Sequence, residues 1–300
     1  MAHANGKVIL LGEHAVVYGV SALAAGIEKG ARAQARAAER ACLRVGPREV
    51  AADDDSDLGR AFAVLLGRLG LGPHQVDVEL DLPAGAGLGA SAAIAVAVAR
   101  AVLEANHEAA DTERVLAAAD GWERVFHGNP SGIDAAAAAY AGCFSYSRAD
   151  GVRKLDVARD LRLVIALAGP PASTREMVEA VARLRERRPE LVDKTMSGIA
   201  ALVQNAKLCV ESGDVIGLGR LLDLNQMLLS GLFVSTEGIE RACAVARQAG
   251  ALGAKLTGSG GGGAVIALVG ADPAPVLSAL TEAGFEAFES VVRANWERRS

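Results

Sequence analysis

The chain has few aromatic residues. Phe, Trp and Tyr make up 4% of its 300 residues, too few for the stacking surfaces on which single-stranded nucleic-acid binders rely. It also lacks a large excess of either charge. Its 31 basic and 36 acidic residues give a net charge of −5, which excludes bulk attraction to nucleic acid or an anionic membrane and leaves room for a local basic site for a small anion. Cysteine is scarce and scattered: Cys42, Cys143, Cys209 and Cys243 form no Cys-x-x-Cys pair. They read as small buried apolar residues of a reducing compartment, not as a zinc site. Long apolar runs are missing too, since Ala92–Leu103 is interrupted by Arg100 and Ala264–Gly270 is short. With no charged-then-apolar opening of the kind that marks a secretory leader, the expectation is a cytoplasmic protein with no membrane or nucleic-acid partner.

What is present describes a compact enzyme-sized chain. Hydrophobic residues make up 51%, with 34 glycines and only 9 prolines. A chain of this length divides into two lobes more often than one, and it buries enough surface to need no metal or disulfide staple. Texture places the division near residue 158, giving lobes 1–158 and 159–300. The first third reads as strands around one helix. Lys7–Leu11 is a short apolar strand, Ala22–Arg36 alternates, and Gln75–Leu82 alternates most cleanly, with Val76, Val78, Leu80 and Leu82 inward. Asp57–Leu69 has helical spacing and stops at Gly70. Helices are expected over Ser91–Ala105 and near Thr112–Phe126, and a buried strand over Leu161–Ala168. Thr174 to about Gln248 reads as almost wholly helical, and the remainder as alternating strand, helix and strand.

Three glycine clusters carry the chemistry. The first, Leu82-Pro-Ala-Gly-Ala-Gly-Leu-Gly-Ala-Ser-Ala-Ala93, joins a strand to an Ala-rich helix. Glycines 85, 87 and 89 leave backbone N–H groups uncovered, and the helix N-terminus adds partial positive charge, which together make a phosphate cradle. Ser91 either caps the helix or offers its hydroxyl to a metal ion. No Lys follows the glycines, so this is not a Walker loop. The second, Thr257-Gly-Ser-Gly-Gly-Gly-Gly263, contains a Gly-x-Gly-x-x-Gly spacing that fails as a dinucleotide fingerprint, because it precedes a strand instead of opening a helix. Four consecutive glycines between strands predict close approach of backbone to a ligand or to the other lobe.

The third cluster, His127-Gly-Asn-Pro-Ser-Gly-Ile-Asp134, is a turn between helices that leaves Asp134 in the first turn of the second. An acid there is equally explained as a helix-dipole partner. The turn could also bring Glu123, eleven residues earlier, beside it, and two carboxylates near a phosphate cradle suit a metal ion and a substrate hydroxyl. At the N-terminus, Lys7 opens a strand, and Gly12-Glu13-His14 crowds two titratable groups beside a glycine. Taken singly, each of these reads as a solvated surface group.

Together, and in this order, the segments resemble the GHMP kinase superfamily and, within it, the mevalonate kinases of compact prokaryotic form. Gly6-Lys-Val-Ile-Leu-Leu-Gly-Glu-His-Ala-Val-Val-Tyr-Gly19 is similar to the first motif, Pro83–Ala93 to the phosphate-binding second, and Lys255–Gly263 to the third. Glu123-Arg-Val-Phe-His-Gly-Asn-Pro-Ser-Gly-Ile-Asp134 is the most specific to mevalonate kinases. The resemblance implies an α+β, two-lobed fold, with an N-terminal α/β lobe, a C-terminal ferredoxin-like α/β lobe and the active site in the cleft. It implies ATP-dependent phosphorylation of the mevalonate 5-hydroxyl in isoprenoid precursor synthesis, with ATP as co-substrate and Mg²⁺ as cofactor.

Residue by residue, the resemblance makes Asp134 and Lys7 catalytic, and Ser91 and Glu123 the metal-holding pair. Pro83, Gly85, Ala86, Gly87, Leu88, Gly89, Ala90, Ser91 and Ala92 would bind the nucleotide phosphates. His14 and Thr174 would touch substrate. Arg148, with Arg175 second, is the candidate cation for the mevalonate carboxylate. Three departures stand out: Asn5 in place of the usual proline before Gly-Lys, Ala90 in place of the first serine of Gly-Ser-Ser, and Ala141 within Tyr140-Ala-Gly142. The Ala90 change removes one possible phosphate hydrogen bond but leaves Ser91, and none of the three touches Lys7, His14, Ser91, Glu123, Asp134, Arg148 or Thr174. Rival readings are a kinase for phosphomevalonate, homoserine or a sugar, and a non-catalytic nucleotide-binding regulator. Oligomeric state is open, with a homodimer among the options.

Overall fold

The computed structural model describes residues 1–83, 85–127 and 130–294. In chain order the elements are β1 (Ala2–Leu11), a 3₁₀ turn (Ala15–Tyr18), β2 (Ala22–Ala37), β3 (Cys42–Val45), β4 (Arg48–Ala51), α1 (Asp57–Leu69), β5 (His74–Leu80), α2 (Ala90–Ala105), α3 (Thr112–His127) and α4 (Ile133–Ala139). There follow β6 (Gly142–Ser147), β7 (Gly151–Lys154), β8 (Leu161–Leu167), α5 (Thr174–Arg187), α6 (Pro189–Ser212), α7 (Val215–Gly231), α8 (Glu237–Gln248), β9 (Gly253–Thr257), β10 (Ala264–Val269), α9 (Ala274–Glu282) and β11 (Ala287–Val292).

Two compact units interleave along the chain. One comprises Met1–Lys7, Glu28–Ala84 and Gly89–Tyr140; the other comprises Val8–Ile27, Gly85–Leu88 and Ala141–Ser300. The sequence reading, by comparison, divides the chain once, near residue 158.

A seven-stranded sheet runs in the order β4-β3-β5-β2-β6-β7, with β1 also paired to β2. β2 changes neighbour along its length: Ala22–Gly26 pair antiparallel with β6, and Ala31–Ala37 pair antiparallel with β5. β5 shows the expected alternation, with Val76 and Val78 buried and Asp77 and Glu79 exposed. In the first unit, α1 begins where the Ser56 hydroxyl accepts from the Gly59 N–H, and it ends on Gly70 in the left-handed region at φ 69°, a start and a stop signal at the places where helices use them. α2 is apolar on nearly every side, and Ala92–Ala99 are all buried. Its alanines leave room for α3 and α4, both of which pack on it.

In the second unit, β8, β9, β10 and β11 form an antiparallel sheet in the order β11-β8-β10-β9. Helices α5 to α8 fill the connection from β8 to β9, and α9 the connection from β10 to β11. This is the β-α-β-β-α-β ferredoxin-like plan with an enlarged first crossover. β10 is buried at all six positions, as a central strand covered on both faces should be. The expected α+β class and ferredoxin-like C-terminal half are therefore what the chain forms. Among the described residues no helix is long and apolar enough to cross a membrane.

Candidate active site

The glycine loop after β5 alternates in handedness. Gly85, Gly87 and Gly89 have φ of 70°, 75° and 77°, while Ala86 and Leu88 between them keep negative φ. Such alternation turns successive N–H groups to one side and forms an anion-binding nest. Only glycine takes the positive values without a steric penalty, which is why the glycines recur at every second position. Ala84, in the same motif, lies outside the described residues.

Gly89 occupies the N-cap position of α2, and no side chain caps the helix. The capping alternative for Ser91 is thereby removed. Its hydroxyl instead donates to Glu123 Oε1 at 2.6 Å and accepts from the Trp122 indole N–H at 3.1 Å. Glu123 itself is only 4% exposed. Burial pushes its carboxyl up from the ordinary value, the Asp134 charge adds to that, and the Ser91 hydrogen bond pulls back. Glu123 thus lies within electrostatic reach of Asp134. Gly128 and Asn129, in the same motif, lie outside the described residues.

Asp134 sits in the first turn of α4, and its Oδ1 lies 3.0 Å from Lys7 Nζ. The Lys7 side chain is 7% exposed and that of Asp134 38%, so the lysine is fixed while the carboxylate still reaches solvent. A Cβ on Gly89 would stand 3.1 Å from Lys7 Cβ, so the last loop glycine clears the space in which Lys7 lies. In the first unit, then, Lys7, Ser91, Glu123 and Asp134 meet where α2 begins. Ser91 and Glu123 present hard oxygen donors side by side, the set that suits Mg²⁺, which is commonly held by one or two protein oxygens together with phosphates and water.

Beside Ser91 the same unit has a cavity of about 360 Å³ walled by Val45, Leu58, Ile94, Trp122 and Phe126. The sequence reading missed it, because its wall is assembled from four separate segments and no one of them carries a motif.

The second unit carries the other expected residues. His14 is 5% exposed and has φ 59°, unusual for a residue with a side chain. Its Nε2–H donates to the Ser259 carbonyl at 2.8 Å, which leaves Nδ1 as the acceptor nitrogen. Burial holds the imidazole below its ordinary value, so the ring is neutral near pH 7. Thr174 Oγ1 lies 3.5 Å from Ser259 Oγ, so Ser259, not singled out from the sequence, joins two residues that were. Arg148 is exposed in the turn after β6, and Arg175 is exposed in the first turn of α5.

The four-glycine run is also accounted for within this unit. A Cβ on Gly260 would lie 2.2 Å from the Val234 carbonyl oxygen, and one on Gly262 would lie 2.1 Å from that of Pro170. At these two glycines the close approach is to backbone of the same unit, where the sequence points to a ligand or the other lobe. The glycine loop after β5 approaches the same cluster: a Cβ on Gly263 would lie 3.3 Å from the Ala86 carbonyl oxygen.

Comparison with known proteins returns matches over nearly the whole chain. Residues 58–142 match the GHMP kinases N terminal domain, and residues 199–286 match the GHMP kinases C terminal description. Mevalonate kinases of Thermococcus sibiricus and Archaeoglobus fulgidus are 33% and 35% identical to the chain. These matches cover 95% and 89% of its length and 93% and 92% of theirs. The crystal structure of L. major mevalonate kinase in complex with R-mevalonate superposes with a TM-score of 0.88 at 28% identity, covering 98% of this chain and 95% of that one.

Proposed function

Because the chain belongs to the mevalonate kinase family within the GHMP kinases, we propose that it transfers the γ-phosphoryl group of ATP to the 5-hydroxyl of mevalonate, using the residues gathered at the start of α2. The observation that carries this reading is the Lys7–Asp134 pair at 3.0 Å, with Gly89 against Lys7 and the Ser91–Glu123 oxygens in the same unit.

Phosphoryl transfer asks a protein for positioning and charge neutralisation more than for covalent chemistry. Backbone N–H groups of Gly85–Ser91 bind the phosphates of ATP, flanked by Pro83 and Ala92, and the apolar cavity beside Ser91 seats its base. Ser91 Oγ and Glu123 would hold Mg²⁺, which would supply positive charge to offset that of the phosphates. Asp134 accepts the proton of the 5-hydroxyl as the new O–P bond forms and the bond to ADP breaks. Lys7 orients that hydroxyl and offsets negative charge on the transferring group. His14 accepts a substrate hydrogen bond at Nδ1, Thr174 stands near the transferred phosphate, and Arg148 pairs with the mevalonate carboxylate.

The same reading makes 1–158 the ATP-binding N-terminal domain and 159–300 the C-terminal domain. Each matched family segment falls wholly on one side of that division. It places the enzyme in the cytoplasm, with a homodimer the assembly to test by sedimentation.

The test is Mg²⁺-dependent ADP release with mevalonate, phosphomevalonate, homoserine, galactose or no acceptor. Release with mevalonate alone, reduced by several decades in Asp134→Asn while ATP binding persists, is the expected result. Preference for another acceptor overturns the substrate. Silence with ATP still bound favours the nucleotide-binding regulator. An Asp134→Asn enzyme that keeps most of its turnover removes the proton-acceptor role.

A further inference from the structure

Behind His14 lies a set of buried polar groups that the proposed reaction does not use. Glu13 and Lys255, 242 residues apart in sequence, form an ion pair with neither side chain exposed at all. Burial alone pushes the Glu13 carboxyl up and the Lys255 ammonium down, and each charge pulls the other back. Lys255 Nζ also donates to the carbonyl of Leu256 and, at 3.5 Å, to that of Ile9. Asn225 Nδ2 donates to Glu13 Oε2 at 3.2 Å. Next to the pair, the Ile9 N–H donates to Thr257 Oγ1 at 2.8 Å, and the same hydroxyl returns a bond to the Ile9 carbonyl at 3.1 Å. The end of β1 is thus fastened to β9 by side chains and an ion pair.

Stability does not account for this arrangement. A buried ion pair loses two hydration shells, and a well-packed apolar pair of similar volume commonly serves folding as well or better. Its location is more informative. Glu13 is the residue immediately before His14, whose backbone stands at φ 59° and ψ −43°. Lys255 lies on β9, which leads within four residues to Ser259, and the Ser259 carbonyl accepts from His14 Nε2–H. The pair therefore fastens both attachments of the imidazole: the strained backbone that carries it and the strand leading to its hydrogen-bond partner.

We propose that Glu13 and Lys255 are positioning residues for His14. They hold residue 14 in its positive-φ conformation and keep the Ser259 carbonyl on Nε2, so that Nδ1 is left as a fixed acceptor for the hydroxyl-bearing acid substrate. This inference rests on the substrate role given to His14 under the proposed function, and it adds the device that sets that residue's tautomer.

Two variants test it. Glu13→Gln combined with Lys255→Met removes both charges at nearly constant volume, so no unpaired charge is left buried. Asn225→Leu removes only the donor on Glu13. It also deletes Asn225 Oδ1, a buried acceptor with no partner among the described residues, which offsets part of the cost of taking the donor from Glu13 Oε2, so the variant should still fold. Thermal unfolding, steady-state kinetics and a long-range ¹H–¹⁵N spectrum of the His14 imidazole, assigned by its loss in His14→Gln, are recorded for each.

The expected result for the double variant is folded protein with a mevalonate KM raised about tenfold or more and an ATP KM within about twofold. The His14 spectrum should move from a single Nε2–H tautomer to an exchanging mixture, and Asn225→Leu should show smaller shifts of the same kind. Folded variants with an unchanged mevalonate KM and an unchanged His14 spectrum overturn the proposal and leave the pair a purely structural one. If the wild-type protein fails to phosphorylate mevalonate, the functional reading falls. The His14 spectrum of Asn225→Leu still decides whether the buried pair sets the imidazole.

Discussion

Replacing Lys7 by methionine separates what the Lys7–Asp134 pair does for the fold from what it does for the reaction. At 3.0 Å, opposite unit charges in a medium of effective dielectric 20 attract by about 5.5 kcal/mol. Little of this reaches folding stability, because Asp134 is 38% exposed and solvent screens the pair. Burying the ammonium also costs hydration, so the net contribution is on the order of 1 kcal/mol or less. For a chain of this size that corresponds to a Tm change of roughly 2–4 °C. The transition state has no such solvent to fall back on once substrates fill the site. Loss of a cation aimed at the transferring group should then cost about 3–4 kcal/mol, or 10²–10³ in kcat. The assay is coupled ADP release at saturating ATP and mevalonate, run beside thermal unfolding of the same preparation. A kcat within tenfold of wild type, or a loss confined to KM, would refute the electrostatic role. A Tm drop beyond about 10 °C would show that Lys7 serves the fold first.

Other residues yield sharper structural tests. Gly89→Ala places a methyl group 3.1 Å from Lys7 Cβ on a backbone at φ 77°; a loss of about 1–2 kcal/mol in urea unfolding should accompany a fall in kcat, and normal turnover would show that Lys7 needs no such clearance. Glu123→Gln keeps an acceptor for Ser91 but removes a buried carboxylate whose folded-state value lies above its unfolded one. The folded chain therefore holds the extra proton, and stability falls as pH rises from about the ordinary value of 4.5. The glutamine variant should flatten that slope and melt higher at pH 7 while losing about 10²-fold in activity; a lower Tm at pH 7 contradicts the assignment. Burial pushes the Cys143 and Cys243 thiols up to about 12, so a chromogenic disulfide at pH 8 should label no more than Cys42 and Cys209 in the native protein and all four after unfolding. Rapid labelling of a third thiol in the native state would show that one of the buried pair opens.

Much of this architecture was written in periodicity. α1 and β10 fall where spacing alone places them, and the helical region from Thr174 to Gln248 does resolve into four helices. β3 and β4 were harder to read, because four-residue strands carrying Arg44, Arg48 and Glu49 have no apolar run to announce them and are fixed by pairing with β5 and with each other. In the site, the glycine loop and the carboxylates were legible because each lies in a short contiguous motif. Lys7 and His14 taken singly read as surface groups, and both are buried. Their burial comes from packing partners remote in sequence, which local spacing does not encode. Ser259 and the Glu13–Lys255 pair stayed hidden for the same reason, and the apolar cavity because its walls come from four segments.

That remote pairing also has a bearing on synthesis. Glu13 leaves the ribosome 242 residues ahead of its counter-charge Lys255. At roughly 5–20 residues per second, the wait is about 12–50 s. The first unit has all of its segments once Tyr140 is out, whereas Val8–Ile27 belongs to a unit whose sheet is completed only by β11. For most of translation, then, Ile9 and Glu13 lack the β9 side chains that fasten them. Such a nascent chain is a natural client for holding chaperones, and slowing translation downstream of Tyr140 should reduce the yield of soluble protein more than slowing it upstream.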